Sequence, residues 1–85
     1  MANIASQKKR IARSERERLE NRRLTSAVKT HFRRLERAVE TGEGDIDEEH
    51  RLVVSRIDRA VQRGALHANT GARKKSRAAR LRNGA

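Results

Sequence analysis

Cysteine and proline are both missing from this 85-residue chain, and Phe32 is its one aromatic residue. Without cysteine there is no disulfide, no thiolate nucleophile and no Cys-based zinc site. Without proline no helix is interrupted by a lost N–H, and with a single aromatic a sheet has little to build on. No apolar run is long enough to span a bilayer or to form the core of a signal peptide, so a cytoplasmic protein without a membrane partner is expected. Acidic residues are also absent from long stretches: none precedes Glu15 and none follows Asp58.

What is present is positive charge. Lys and Arg number 22 against 11 Asp and Glu, a net charge of +11. A compact chain with that excess repels itself, whereas a polyanion turns it into binding free energy through phosphate neutralisation and counterion release. Nucleic acid is the expected partner. The length allows one domain, 1–85, with a small core and no room for a catalytic cleft.

Ala, Leu, Arg, Lys and Glu dominate the remainder, which points to an all-α fold. The first uninterrupted stretch runs from about residue 6, with Ser6 as a plausible N-cap, to about 41, where Gly42-Glu43-Gly44 breaks it. Its roughly 36 residues make a helix about 54 Å long. Asp45-Ile46-Asp47-Glu48 resembles a capping box opening a second helix, about 45–63, which Gly64 ends. Asn69 is the expected cap of a third helix, about 69–82.

Leu24, Val28, Phe32, Leu35 and Val39 share one face of the first helix, with Ala27 and His31 at its flank. Ile46, His50, Val53, Val54, Ile57, Ala60 and Val61 form the matching stripe on the second, and Ala68, Ala72, Ser76 and Ala79 a small-residue face on the third. Followed backwards from Leu24, the first stripe meets Asn21, Glu17, Ser14, Arg13 and Arg10. The same face is therefore polar in the N-terminal half. The expectation is a three-helix bundle with the long first helix projecting beyond it, the projecting arm being ordered fully only on docking to phosphates.

Catalytic chemistry finds no support. His31, His50 and His67 lack the close spacing of a zinc site, so no metal and no cofactor is expected. His31 and His50 read as helix residues facing a neighbouring helix. The serines have no partnering base or oxyanion-hole glycines, and Asp45, Asp47, Glu48 and Glu49 are explained by the start of a helix. No small-molecule substrate is implied, and the chain is not expected to be an enzyme.

The two basic blocks carry the signal. Lys8, Lys9, Arg10 and Arg13 form one; Arg73, Lys74, Lys75, Arg77, Arg80 and Arg82 form the other. Neither has an acid within it, which implies contact with phosphate tracks. Lacking aromatics for stacking bases, the chain would read backbone and shape, and these alone suit folded RNA or bent DNA equally.

Ala2-Asn3-Ile4-Ala5-Ser6-Gln7-Lys8-Lys9-Arg10, Gly64-Ala65-Leu66-His67-Ala68-Asn69 and Ala72-Arg73-Lys74-Lys75-Ser76-Arg77, in this order and spacing, resemble the bacterial small-subunit ribosomal proteins designated S-twenty. The resemblance spans nearly the whole chain. It implies a long first helix on a three-helix bundle, a structural place in the ribosome beside other small-subunit components, and direct binding of 16S ribosomal RNA. It further implies that the RNA partners are the 5′ domain and the long penultimate stem, and that the protein helps assemble the subunit body. Residue by residue it implies RNA contacts for Asn3, Ser6, Lys8, Lys9, Arg10, Arg13, His67, Asn69, Arg73, Lys75 and Arg77; Arg16, Arg22, Arg23, Lys74 and Arg80 complete the candidates. The chain departs from the pattern at Ala68, where lysine is usual, and at Gly71, where alanine is usual. The start of the third helix is thus expected to be less cationic and looser, moving phosphate contact to Arg73 and Lys75. A nucleoid-type protein binding DNA without sequence preference is the rival reading. A membrane-surface or partner-binding amphipathic helix is disfavoured, because the N-terminal half has no apolar face.

Overall fold

A computed structural model of the chain describes residues 4–84. It contains three helices: α1 (Ile4–Thr41), α2 (Ile46–Gln62) and α3 (Ala68–Asn83). The molecule measures 61 × 22 × 14 Å with a radius of gyration of 17.1 Å, against about 12 Å for a compact domain of this length. Its long axis is α1, whose 38 residues rise about 57 Å.

Why α1 stops is local. Thr41 donates its hydroxyl to the Arg37 carbonyl at 2.7 Å and accepts from the Glu43 N–H, while Gly42 and Gly44 take φ of +71° and +84°. That left-handed backbone disfavours any side chain, so the chain reverses there. Asp45 then caps α2 by accepting from the Glu48 N–H at 3.3 Å. The return half of the expected capping box is not formed, because the Glu48 carboxylate is bonded to Arg51 instead. At the other end, the Gly64 N–H donates to Val61 and the Ala65 N–H to Ala60, with Gly64 at φ +78°. These two bonds make a Schellman ending that closes α2 ahead of α3.

Two corrections concern helix starts. Ser6 lies inside α1, which already begins at Ile4. The cap of α3 is His67, whose Nδ1 accepts from the Asn69 N–H at 3.1 Å; Asn69 sits in the first turn. An imidazole nitrogen at the right distance fills the acceptor role expected of an Asn side chain two positions later.

The core is formed by Leu24, Val28, Phe32 and Leu35 of α1, Val53, Ile57 and Ala60 of α2, and Ala78 of α3, with Val39, Ile46, Val61, Leu66 and Leu81 packed against it. The stripes expected on α1 and α2 are those that pack. The face expected on α3 is not: Ala68, Ala72 and Ser76 are exposed, while Gly71 and Ala78 are buried. The packed face is displaced by one residue step, about 100°, because Leu81 is the one large apolar side chain on α3 and its burial rotates the helix. Gly71 is close-packed rather than loose, since a Cβ there would lie 2.5 Å from Val61 Cγ2.

Candidate nucleic-acid interface

From residue 4 to residue 20 every side chain of α1 is exposed, including Ile4, Ile11 and Leu19. Ser6, Lys8, Lys9, Arg10, Arg13 and Arg16 all lie on this arm; Asn3 lies outside the described residues. Arg22 and Arg23 stand at its base, exposed beside Leu24, the first buried residue. At 100° per residue these cations fall on every side of the helix, not along one edge. Among the described residues only Arg13 has an ion pair on the arm, to Glu17 at 3.2 Å.

The second basic block is differently placed. Lys75 pairs with Asp58, Arg77 reaches Glu36 at 3.2 Å, and Arg82 reaches Asp47 at 2.8 Å. The Arg77 guanidinium also lies over the Phe32 ring, 5.4 Å from its centroid. The absence of acids after Asp58 in the sequence therefore did not leave this block unneutralised, because α1 and α2 bring acids to it. Arg73, Lys74 and Arg80 are the cations of α3 without an ion pair among the described residues; Lys74 is half-buried, the other two exposed. Arg73, Arg77 and Arg80 share the α3 face that meets α1, and Lys75 and Arg82 the face that meets α2.

His67 is exposed at the start of α3. With Nδ1 accepting the cap bond, its Nε2 is the nitrogen left to donate, a geometry suited to a phosphate or a sugar hydroxyl. Asn69 is exposed, and its side chain takes no part in the cap.

His31 and His50 are half-buried on the α1–α2 side, as their sequence positions imply. Burial, aided by Arg34 and Arg56, holds the His31 pKa below its ordinary 6.5, with Glu49 opposing. His31 Nδ1, Glu49 Oε2 and His50 Nε2 are buried without a hydrogen-bond partner. In the first turn of α2, the hydrogen bond from Arg51 lowers the Glu48 pKa. Among the described residues no group of three or more His, Cys, Asp or Glu could hold a metal ion, and no helix is long and apolar enough to cross a membrane.

The exposed cations of the arm and of α3 can meet a polyanion. Arg18, Lys29 and Arg33 are further exposed cations of α1, in helical register with Arg22.

The family model described as ribosomal protein S20 matches residues 2–83. The small ribosomal subunit protein bS20 of Kocuria rhizophila is 49% identical over 77 residues, covering 89% of this chain and 90% of that protein. Its counterpart in Acaryochloris marina is 44% identical over an alignment of 89 residues, covering 95% of each. The bS20c protein of Porphyra purpurea is 46% identical over 85 residues, covering 95% of this chain and 90% of its own.

Proposed function

Because the chain belongs to the ribosomal protein S20 family, we propose that it is a structural component of the small ribosomal subunit that binds 16S ribosomal RNA directly. It works as one domain, residues 1–85, in the ribosome and hence in the cytoplasm, and has no catalytic role. The observation that carries this is the arm. Residues 4–23 hold eight Lys and Arg against three Glu, on a helix whose every side is exposed as far as residue 20.

A cationic rod charged all round is suited to lie between two phosphate surfaces, not along one. That supports the bridging of two RNA regions, the 5′ domain and the long penultimate stem, and with it a part in assembling the subunit body. Ser6, Lys8, Lys9, Arg10, Arg13, Arg16, Arg22 and Arg23 make the arm contacts. His67, Asn69, Arg73, Lys74 and Arg80 add contacts from α3, while Lys75 and Arg77 first exchange a carboxylate for a phosphate. With Phe32 buried in the core, no aromatic is free to stack a base, so contact is to backbone and shape.

The test is equilibrium binding to 16S RNA across a range of salt. The Lys8→Ala/Lys9→Ala/Arg10→Ala variant is expected to lower the log–log salt slope by about 0.9 per lost phosphate contact. Its free melting temperature should stay unchanged. Displacement from the RNA by duplex DNA at equal nucleotide concentration would favour the DNA-binding alternative and sink this one.

A further inference from the structure

Between Glu20 and Glu36, α1 carries five Lys and Arg and no acid. This is the half of the helix that builds the bundle, where cations are not needed for reach. Leu24, Val28, Phe32 and Leu35 occupy one side of it. Arg22, Lys29 and Arg33 are exposed just over a third of a turn away, and Arg18 continues their line into the arm. The row from Arg18 to Arg33 is about 22 Å long.

Its spacing works against the free helix. Arg18 and Arg22, and again Lys29 and Arg33, are like charges four residues apart, which destabilise a helix. No ion pair relieves any of the four among the described residues. On α2 the cations are only partly paired: Arg51 pairs with Glu48, while Arg59 and Arg63 stand exposed four residues apart without an ion pair among the described residues. The row on α1 is distinguished by its length and by its continuity with the arm. On α1 the acid that comes next, Glu36, is already taken by Arg77. Through that contact the Arg73, Arg77 and Arg80 side of α3 is set beside the row on α1.

We infer that the solvent face of α1 within the bundle, centred on Lys29 and Arg33, is a further RNA-binding surface. It takes the phosphates of an RNA helix and joins the arm to α3 in one continuous cationic face. The inference rests on the reading of the protein as an RNA binder, and it extends that contact from the projecting arm to the bundle itself. The charge that destabilises this row in the free protein is neutralised only when a phosphate strand lies along it. Ile4, Ile11 and Arg18, seven residues apart on nearly the same line, extend the face to the tip. Ile4 and Ile11 are 69% and 59% exposed, apolar surface suited to the sugars of a shallow minor groove.

Two double variants with equal loss of charge test it: Lys29→Gln/Arg33→Gln on α1 and Arg59→Gln/Arg63→Gln on the outer side of α2. Binding of each to 16S RNA is measured as a function of salt, and the melting curve of each free protein is recorded alongside. The α1 variant is expected to lower the salt slope by about 2, from roughly 0.9 for each of two phosphates, while the α2 variant leaves it as in the wild type. An unchanged slope in the α1 variant overturns the inference. So does an equal fall in both, which would mean that net charge alone is read. Failure of the wild type to bind 16S RNA would overturn the RNA reading as a whole; wild-type binding with an unchanged α1 variant overturns this inference alone.

Discussion

Up to Glu20, α1 exposes every described side chain; from Leu24 onward it buries one residue per turn, at Leu24, Val28, Phe32, Leu35 and Ala38. The two halves share one backbone path and much the same stock of Arg, Glu, Ala and Leu. They differ in whether the i, i+4, i+7 positions are apolar. A helix half without such a stripe has propensity and i,i+4 pairs to hold it, each pair contributing about 0.2–0.5 kcal/mol. A half with one gains about 1.5–3 kcal/mol for each large side chain buried. The bundle half is therefore the part that folds by itself, and the arm is the part whose order depends on what it touches.

The sharpest way to break that division is Phe32→Ala. Removing a buried aromatic costs about 3–5 kcal/mol, enough to unfold a core of this size. Here it also removes the ring beneath Arg77. Thermal denaturation followed by circular dichroism should show loss of the cooperative transition. The Lys8, Lys9 and Arg10 substitutions should leave that transition in place, and equal effects of the two on free-protein melting would end the distinction between arm and bundle.

Gly71→Ala sharpens the comparison on the bundle side. Helix propensity favours the change by about 1 kcal/mol, but the new Cβ would stand 2.5 Å from Val61 Cγ2. Val61 is β-branched and stiff, so overpacking at about 1–3 kcal/mol outweighs the gain. A lower melting temperature is expected, and in a Val61→Ala background the same substitution should cease to destabilise. A rise in the single variant would show that α3 packs less tightly than described.

Smaller again is Asp47→Asn. It breaks the exposed pair with Arg82, and exposed pairs of this kind contribute about 0–1 kcal/mol, less at high salt. Urea unfolding should shift slightly at low salt and not at all at high salt. A shift surviving high salt would mean that α3 is held by this pair and not by Ala78 and Leu81.

The least effect is expected at His31. Burial holds its pKa below 6.5 in the folded protein, so between the folded and unfolded values the unfolded chain binds more protons. Stability then falls as pH drops through about 6.5 and levels off below the folded pKa. His31→Gln should flatten the dependence of melting temperature on pH over that window. An unaltered profile would place the titrating group elsewhere.

The helix count, the arm and the α1 and α2 stripes were legible because a 3.6-residue period in apolar residues reports one buried face. The α3 face was not. Its alanines form a regular stripe, yet so little area is at stake in each that Leu81 and the fit of Gly71 against Val61 decide the rotation. The His67 cap was also out of reach, since histidine takes that role only when its ring is turned towards the backbone. The partners of Lys75, Arg77 and Arg82 lie 17 to 41 positions away along the chain, a distance no local charge tally can cross.

The sequence by itself determined that the protein is helical, strongly cationic and divided into a cored and an uncored half, because period and charge are properties of neighbours along the chain. Tertiary structure alone decided which cations remain free. Packing α3 against α1 and α2 brings Glu36, Asp47 and Asp58 to half of the second basic block, and it leaves the acid-free row on α1 open to solvent. Coulomb energy depends on distance in space, and only the fold sets that distance.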